Sequence, residues 1–467
     1  RFREKNTIVS EGKMEQYDVL IVGAATAGSF FARRIAEAGH SVLVLDKLGK
    51  DSLGHRLDIF HVGKPDFERF GLPLPEENDD FAFEFTGGRT FSAYGRYPKK
   101  NTGTTVGMHM PRYIARLNRW AEEAGATFLL GAAFTGFLWE NGRVAGATYE
   151  KDGVSHEVRA KLVADCSGIP SVARRKLPDG YGVENFVIAD TDKFYVTLRY
   201  VTYHDPNDYV SGTRGWTYYK TWEAPEGSPD CAILGVGANF SYGEGEKVFA
   251  AFEKAVELPR YTLKRIERGT TPYRRPPYSF VADGFLASGD AACLTKPSAG
   301  EGVTASMVQL EIAADVVNRL LDEGESLTRA RLWPINKRYV DAQGKAFAGQ
   351  LATLIGAMST SADENDFFFE KDVIFSDKTF ASLGSGEPLA FSTGEMLNMA
   401  FKMLGGVLSG RLRVSTIRSL LSGMKNGGRA EALYAEYPET EAGYAAWTKR
   451  ADEFWRSCGS MADNAVE

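Results

Sequence analysis

Tyr17 to Val22 is a short apolar run of the kind that fills a buried strand, and it ends at Gly23. Ser29 to Ala38 then has helical composition, and Gly39 stands where a left-handed C-terminal cap belongs. Ser41 to Asp46 returns to a strand pattern. These three segments predict a βαβ unit, and hence a parallel sheet. Between Asp51 and Gly107 the pattern turns irregular and rich in glycine, proline and aromatic residues; within it, Phe81 to Tyr97 predicts a hairpin around Gly87-Gly88. Pro111 to Ala124 predicts a helix with Arg112, Arg116 and Arg119 at helical spacing. Short strands flank Asn141-Gly142 and Asp152-Gly153, dipeptides that favour hairpin turns. Lys161 to Asp165 leads into a further glycine turn. From about Phe194 to Gly237 the chain alternates in strand fashion, which predicts an antiparallel sheet distinct from the parallel one. Gly235-Val236-Gly237 is expected to end a strand there. Phe285 to Ser288 is again a buried strand, Val303 to Leu321 a long amphipathic helix, and the chain from Arg329 onward is mostly helical.

The chain has 467 residues, too many for one small core, so two or three packed units are expected. A net charge of −6 argues against a general attraction to nucleic acid. An aromatic share of 12% suits an apolar ligand cavity, and equally suits simple core packing. Cys166, Cys231, Cys293 and Cys458 form no Cys-x-x-Cys pair, which speaks against a disulfide framework, an iron–sulfur cluster or any other metal site. That usage fits a reducing compartment, so a cytoplasmic location is expected. No apolar run approaches the ~20 residues that span a bilayer. Residues 1–13 are polar and patternless and are read as an unstructured or non-native leader, with Met14 as a native start.

The chemistry is concentrated in glycine turns that follow strands. Gly23-Ala24-Ala25-Thr26-Ala27-Gly28 occupies the place of the Gly-x-Gly-x-x-Gly dinucleotide fingerprint. Gly23 permits the tight turn, Gly28 lets helix and strand approach, and the helix N-terminus offers free N–H groups to a pyrophosphate. Ala25 replaces the middle glycine, and its methyl group partly obstructs that approach. Asp46, with Lys47 after it, ends the second strand, where a carboxylate can accept hydrogen bonds from ribose hydroxyls. Ala164 to Gly168, with Ser171 and Arg174 following, repeats the strand-to-glycine design. Gly289-Asp290-Ala291-Ala292 repeats it a third time, about 260 residues after Gly23, followed by Pro297, Gly300 and Gly302. Asp290 is placed to fix a sugar or ribityl hydroxyl, and backbone N–H groups near Gly300 and Gly302 to stabilise negative charge on a reduced ring.

This set resembles FAD enzymes with the p-hydroxybenzoate hydroxylase fold and, among them, the geranylgeranyl reductase family. The likeness rests on the turn at Gly23, the Arg112 helix, Asp165 to Arg174, Gly215 to Gly237 and Asp283 to Val303. It covers roughly residues 17 to 350. It implies an α/β fold in which a Rossmann-like FAD-binding domain is discontinuous over 14–80, 105–190 and 270–325. A substrate domain built on an antiparallel sheet takes 81–104 and 191–269, and a helical C-terminal region takes 326–467. By the resemblance, Gly23 to Gly28 hold the FAD pyrophosphate, Asp46 the adenosine ribose, and Arg56 and Arg112 meet the cofactor. Phe134, Asp165 and Gly168 lie on the adenine side, Gly289 and Asp290 at the ribityl chain, and Pro297, Gly300, Gly302 and Val303 along the isoalloxazine. Trp216, Tyr218 and Tyr219 occupy the place of the family's Tyr-x-Trp-x-Phe-Pro element facing the substrate, or pack an antiparallel sheet; the Phe-Pro pair is absent.

Many relatives place a cysteine near the flavin shortly after the position of Arg56, and this chain has none there. His55, Asp58 and His61 are the candidates for supplying a proton in its stead. No second nucleotide fingerprint is present, so an electron donor, NAD(P)H or a redox protein, is expected to dock transiently. The reaction implied is reduction of carbon–carbon double bonds in an apolar, isoprenoid-like substrate. The alternatives are an FAD-dependent aromatic monooxygenase, which shares the fold, and a flavin-dependent isomerase or cyclase. Met396 to Lys425 mixes Leu, Met and Val with Lys402, Arg411, Arg413, Arg418 and Lys425. It reads as a packed helical lid with a solvated face, or as a basic amphipathic surface that approaches anionic lipid. The sequence does not specify an oligomeric state.

Overall fold

The computed structural model describes residues 15–55, 57–205, 217–218, 221–225, 231–357, 360–380 and 391–459. It begins with β1 (Gln16–Val22), α1 (Thr26–Glu37) and β2 (Val42–Asp46), the two strands parallel with Val22 opposite Leu45. Phe30, Phe31, Ile35 and Ala36 give α1 a buried face, and Gly39, with φ +86°, turns the chain out of it. The chain continues through β3 (Ile59–Gly63), α2 (Lys64–Phe70), β4 (Phe81–Thr90), β5 (Lys99–His109) and α3 (Met110–Glu122). Then come β6 (Thr127–Leu130), β7 (Ala133–Glu140), β8 (Arg143–Lys151) and β9 (Val154–Asp165). The latter three form a meander whose turns carry Asn141 and Asp152 in the left-handed region.

The second sheet is made of β10 (Lys193–Tyr203), β11 (Thr217–Tyr218), β12 (Thr221–Pro225), β13 (Cys231–Asn239) and, after α4 (Tyr242–Val256), β14 (Tyr261–Pro272). The chain returns to the first sheet with β15 (Val281–Ala282) and β16 (Phe285–Ala287), then enters α5 (Val303–Asp322). The C-terminal helices are α6 (Arg329–Tyr339), α7 (Lys345–Ala357), α8 (Ala362–Glu370), α9 (Thr393–Leu408), α10 (Val414–Ala435) and α11 (Tyr444–Cys458).

The first sheet runs β15-β16-β9-β1-β2-β6, with β16, β9, β1, β2 and β6 mutually parallel. Strand β9 lies centrally, pairing Asp165 with Val22 on one side and with Ala287 on the other. This register brings the carboxyl ends of three strands level, which is where ligands of open α/β sheets bind. The five-stranded sheet runs β11-β12-β13-β10-β14, and a three-stranded sheet runs β3-β5-β4. Ile59, Phe83, Leu198, Tyr200 and Ile233 form a core between these two.

Three expectations are corrected in detail. The hairpin does not turn at Gly87-Gly88. Strand β4 runs on to Thr90 with a register shift between Thr86 and Gly88, so Gly87, at φ +78°, serves a bulge. Gly235 to Gly237 lies inside β13, where a Cβ on Gly237 would come within 2.1 Å of the Phe194 ring across the ladder. That glycine makes room for an aromatic neighbour; it does not end a strand. The small sheet also draws β3 from before residue 81 and extends β5 to His109, so segment 81–104 covers only part of that layer.

Candidate functional site

The three glycine turns meet at the carboxyl ends of β1, β9 and β16. Gly23, at φ +111°, has no room for a side chain: a Cβ would lie 2.3 Å from the Cys166 carbonyl oxygen. At Gly28 a Cβ would lie 1.8 Å from the Gly23 carbonyl oxygen. Gly289, at φ +63°, faces Ala27, and a Cβ there would stand 3.3 Å from the Ala27 methyl. Turns about 260 residues apart in sequence are therefore in contact.

Neighbouring side chains hold the first turn in shape. Asp46 accepts from the Ala24 N–H at 2.9 Å and from the Leu48 N–H at 2.8 Å, so its carboxylate sits directly against the turn. Ser29 Oγ on α1 lies 2.6 Å from the Asn118 side-chain amide of α3 and 3.2 Å from the Ala24 carbonyl oxygen. The first turn of α1 has neither an acidic residue nor a side-chain cap, and the same holds for α5, whose N-cap is Gly302. Two helix N-termini thus offer N–H groups and positive dipole ends to one cleft. Ala24 is buried, whereas Ala25, Thr26 and Ala27 remain accessible along the rim. That donor set fits the pyrophosphate and the electron-rich ring of a flavin dinucleotide. Asp290 faces Gly302: a Cβ on Gly302 would lie 3.3 Å from its Oδ1. Gly300, at φ +69°, completes the tight loop in which the Lys296 N–H donates to the Glu301 carbonyl at 2.8 Å. Pro297 and Val303 flank that loop and are partly accessible.

Other expected residues stand differently. Asp165 is fully buried, and its two oxygens accept from the N–H groups of Ser167, Ala173 and Arg174. It shapes its own turn, away from solvent. Buried Arg174 then ties that turn to the third one, donating from Nε to the Ala291 carbonyl at 2.7 Å. Gly168, at φ +75°, is partly accessible beside them. Phe134 packs edge-on to Phe137 on β7, just after Ala132, whose N–H donates to the Asp46 carbonyl at 2.8 Å. Arg112, on the first turn of α3, is exposed and donates to the Asp79 carbonyl, and Lys47 is exposed beside Asp46. Arg56, Trp216 and Tyr219 lie outside the described residues; of Tyr218 only the backbone, paired with Thr221, is described.

The proton-donor candidates separate clearly. His55 is exposed on the loop after β2. Asp58 is bound to Arg265 at 2.7 Å and faces His109 Nδ1 at 3.6 Å. The His109 hydrogen bond, with help from Arg265, holds its carboxyl below the ordinary range, so near neutrality it has no proton to give. His61 sits mid-strand on β3, opposite Gly107, on the same face of the small sheet as Ile59. Its side chain is open to solvent yet crowded by neighbouring protein atoms. That enclosure pushes the imidazole below its ordinary value, while the charge of Glu301 pulls it back up. Asp66, on α2, is raised by burial and by the same Glu301, with Arg69 and Lys296 opposing. His61, Asp66, Lys296 and Glu301 therefore share one electrostatic neighbourhood at the Pro297–Val303 loop. Sequence reasoning singled out His61 among these but missed Asp66 and Glu301, whose only sequence signal is an acidic residue beside a glycine turn or helix start.

Residues 16–191 match the family model described as an FAD binding domain. The chain is an FAD-binding protein. Over 450 residues it is 23% identical to a digeranylgeranylglycerophospholipid reductase of Sulfolobus acidocaldarius, with 94% of this chain and 97% of that protein covered. Its fold resembles that of a geranylgeranyl bacteriochlorophyll reductase-like protein from Thermoplasma acidophilum, at a TM-score of 0.62 and 20% identity, covering 85% of this chain and 100% of that one. A myxobacterial chondrochloren halogenase shares the fold at a TM-score of 0.56 and 16% identity, covering 88% and 97% of the two chains. The likeness to the Sulfolobus reductase runs along nearly the whole chain, and the likeness to the two solved structures is one of fold.

Proposed function

We propose that the protein reduces carbon–carbon double bonds of an isoprenoid lipid. The observation that carries this reading is similarity along nearly the whole chain to a reductase of digeranylgeranylglycerophospholipid, including the C-terminal helices as well as the FAD domain. Bound at these turns, reduced FAD would supply hydride chemistry to one alkene carbon, and the other carbon would need a proton from the protein or solvent. Gly23, Gly28 and Asp46 shape the pyrophosphate turn, and the N-termini of α1 and α5 supply its positive ends. Arg174 keeps the second and third turns together. His61 is the proposed proton donor, for its imidazole feels the charge of Glu301, beside the glycine loop that leads into α5. The reductant, NAD(P)H or a redox protein, docks transiently.

The deciding experiment reduces the FAD-loaded protein anaerobically and adds a geranylgeranyl lipid. Reoxidation of the flavin with formation of a saturated product is expected. Reoxidation only by oxygen, with a hydroxylated product from an aromatic acid, would replace this reading with a monooxygenase.

A lipid substrate requires access to a membrane, and no helix among the described residues is long and apolar enough to cross one. The outer faces of α9 and α10 offer another route. Met396, Leu397, Phe401, Leu404, Leu408, Leu421 and Met424 are exposed there, Phe401 at 72% and Leu408 at 80%. Exposed Arg418 and Lys425 flank them. The proposed occupant of this face is an anionic lipid surface.

A further inference from the structure

Strand β14 of the five-stranded sheet ends against the loop that leads into α5. Two side chains there reach it from positions two apart: Thr271, in the strand, and Tyr273, just beyond its last residue, Pro272. The Tyr273 hydroxyl donates to the Pro297 carbonyl at 3.2 Å, and the hydroxyls of Thr271 and Thr295 lie 3.2 Å apart. The sheet therefore holds this segment on either side of Lys296. From Lys296 the loop closes on itself, the Lys296 N–H donating to the Glu301 carbonyl and the Gly300 N–H to the Lys296 carbonyl at 2.9 Å. Gly302, the N-cap of α5, fits a nook where a Cβ would lie 3.5 Å from the Leu294 carbonyl oxygen and 3.7 Å from Thr295 Oγ1. Fixing Thr295 and Pro297 thus fixes where the N-terminus of α5 points.

Tyr273 is itself braced. Its N–H donates to the Asp192 carbonyl at 2.7 Å, and Arg274 bonds the Asp192 carboxylate at 2.9 Å, which ties the end of β14 to the residue before β10. The Tyr273 ring meets that of Phe194 with centroids 5.6 Å apart, and Phe194 occupies the space that Gly237 leaves on β13. Gly237, Phe194, Tyr273 and Pro297 form a line of contact from the middle strand of the sheet to the loop. Burial pushes the phenol up to about 12, so near neutrality it is an uncharged donor. The ring contacts require only an aromatic residue; what the hydroxyl adds is the bond to the loop.

We propose that Tyr273 and Thr271 are positioning residues for the flavin, holding the Pro297–Gly302 loop so that the N–H groups at the start of α5 favour reduced over oxidised FAD. Reduced flavin gathers negative charge, and donors fixed in advance stabilise it without reorganising. The proposal rests on the isoalloxazine lying along this loop, and not on which substrate the flavin reduces.

The test follows hydrogen exchange of residues 296–304 and the midpoint potential of bound FAD, both in the full chain. In the unaltered protein, FAD should slow exchange of the loop. In the FAD-free protein, the near-isosteric Tyr273→Phe and Thr271→Val should each speed it about twofold to fivefold, the worth of one modest net hydrogen bond. The same factor lost from the reduced state lowers the potential of a two-electron couple by about 10–20 mV, and the double variant should shift it further. Thr271→Ser keeps the hydroxyl and should keep the wild-type potential. So should Tyr195→Phe, which removes a hydroxyl of the same sheet that donates to the Asp190 carbonyl at 3.3 Å. A loop that FAD does not protect would displace the ring from this loop and take the proposal with it. Protection by FAD with unchanged potentials in both variants, or an equal shift in Tyr195→Phe, would overturn the proposal and leave the ring where it is placed. No step uses a prenyl substrate, so the reductase reading stands or falls separately.

Discussion

At the scale of single residues, His61 is the group whose surroundings do most to set its behaviour. Enclosure lowers its folded pKa below the ordinary 6.5. As pH falls through that value, the unfolded chain takes up a proton that the folded protein still refuses. Folding stability must therefore decline with falling pH in that window, by up to about 1.4 kcal/mol per pH unit for one proton. His61→Asn should flatten this decline in urea titrations between pH 7 and 5, and should slow anaerobic flavin reoxidation by the prenyl lipid without loss of bound FAD. Equal slopes in the two proteins would remove His61 from the cleft, and an unchanged reoxidation rate would remove it from the chemistry. The residue scale also shows where sequence reading succeeds. Gly23 and Gly28 are legible because no other residue fits those backbones. Asp165 is harder to read, because a carboxylate after a glycine-turn strand looks the same whether it holds a ligand or its own loop. Only the three backbone N–H groups directed at it decide the matter.

At the scale of elements, the reversal between β4 and β5 depends on a helix distant in sequence. Buried Asp366 on α8 accepts from Ser92 Oγ at 2.5 Å and from Arg96 at 2.8 Å. The neighbouring Asn365 accepts from the Ala93 N–H at 2.8 Å, and Lys100 N–H donates to Asp377 at 2.8 Å. No local signal announces this clasp, and the local signal that does exist, Gly87-Gly88, belongs to a bulge. The regular helices and the βαβ unit were legible because their periodicity and caps are local; this turn was not, because its partners lie about 270 residues away. Asp366→Ala leaves Ser92 and Arg96 without their acceptor. Arg96 is largely exposed, so the cost is expected near 2 kcal/mol, below that of a fully buried pair. The sharper expectation is local: residues 91–98 should become the first site of limited proteolysis while FAD content holds. Cleavage at wild-type rate would show that the clasp does not hold the turn.

At the scale of the whole molecule, the described residues form three sheets and a helical cap that place the FAD cleft and the apolar helix face on connected layers. The order of the parallel strands and the helical C-terminal region follow from patterns in the sequence, but which face of α9 is buried does not. Both faces are apolar. Met399, Met403 and Val407 pack toward Phe367 and Leu412, while Phe401, Leu404 and Leu408 point outward. The adjoining α10 is fixed by Arg413, which grips buried Glu364 at 2.6 Å and helps hold that carboxyl down to about 2. The outward face is therefore presented from a firmly held helix pair, and no described element covers it. Soluble proteins seldom leave so contiguous an apolar surface to water. Insertion of a few such side chains supplies the main attraction, and Arg418 and Lys425 add about 1 kcal/mol each near an anionic surface. The protein should co-sediment with vesicles rich in anionic phospholipid, less with zwitterionic ones, and less again as salt is raised. Replacing Phe401, Leu404 and Leu408 together by Ser should release it from both kinds of vesicle and leave the flavin spectrum and melting temperature unchanged. Failure of the unaltered protein to sediment with anionic vesicles would end the membrane reading, and a dimer that dissociates in the triple variant would assign the face to a second copy of the chain.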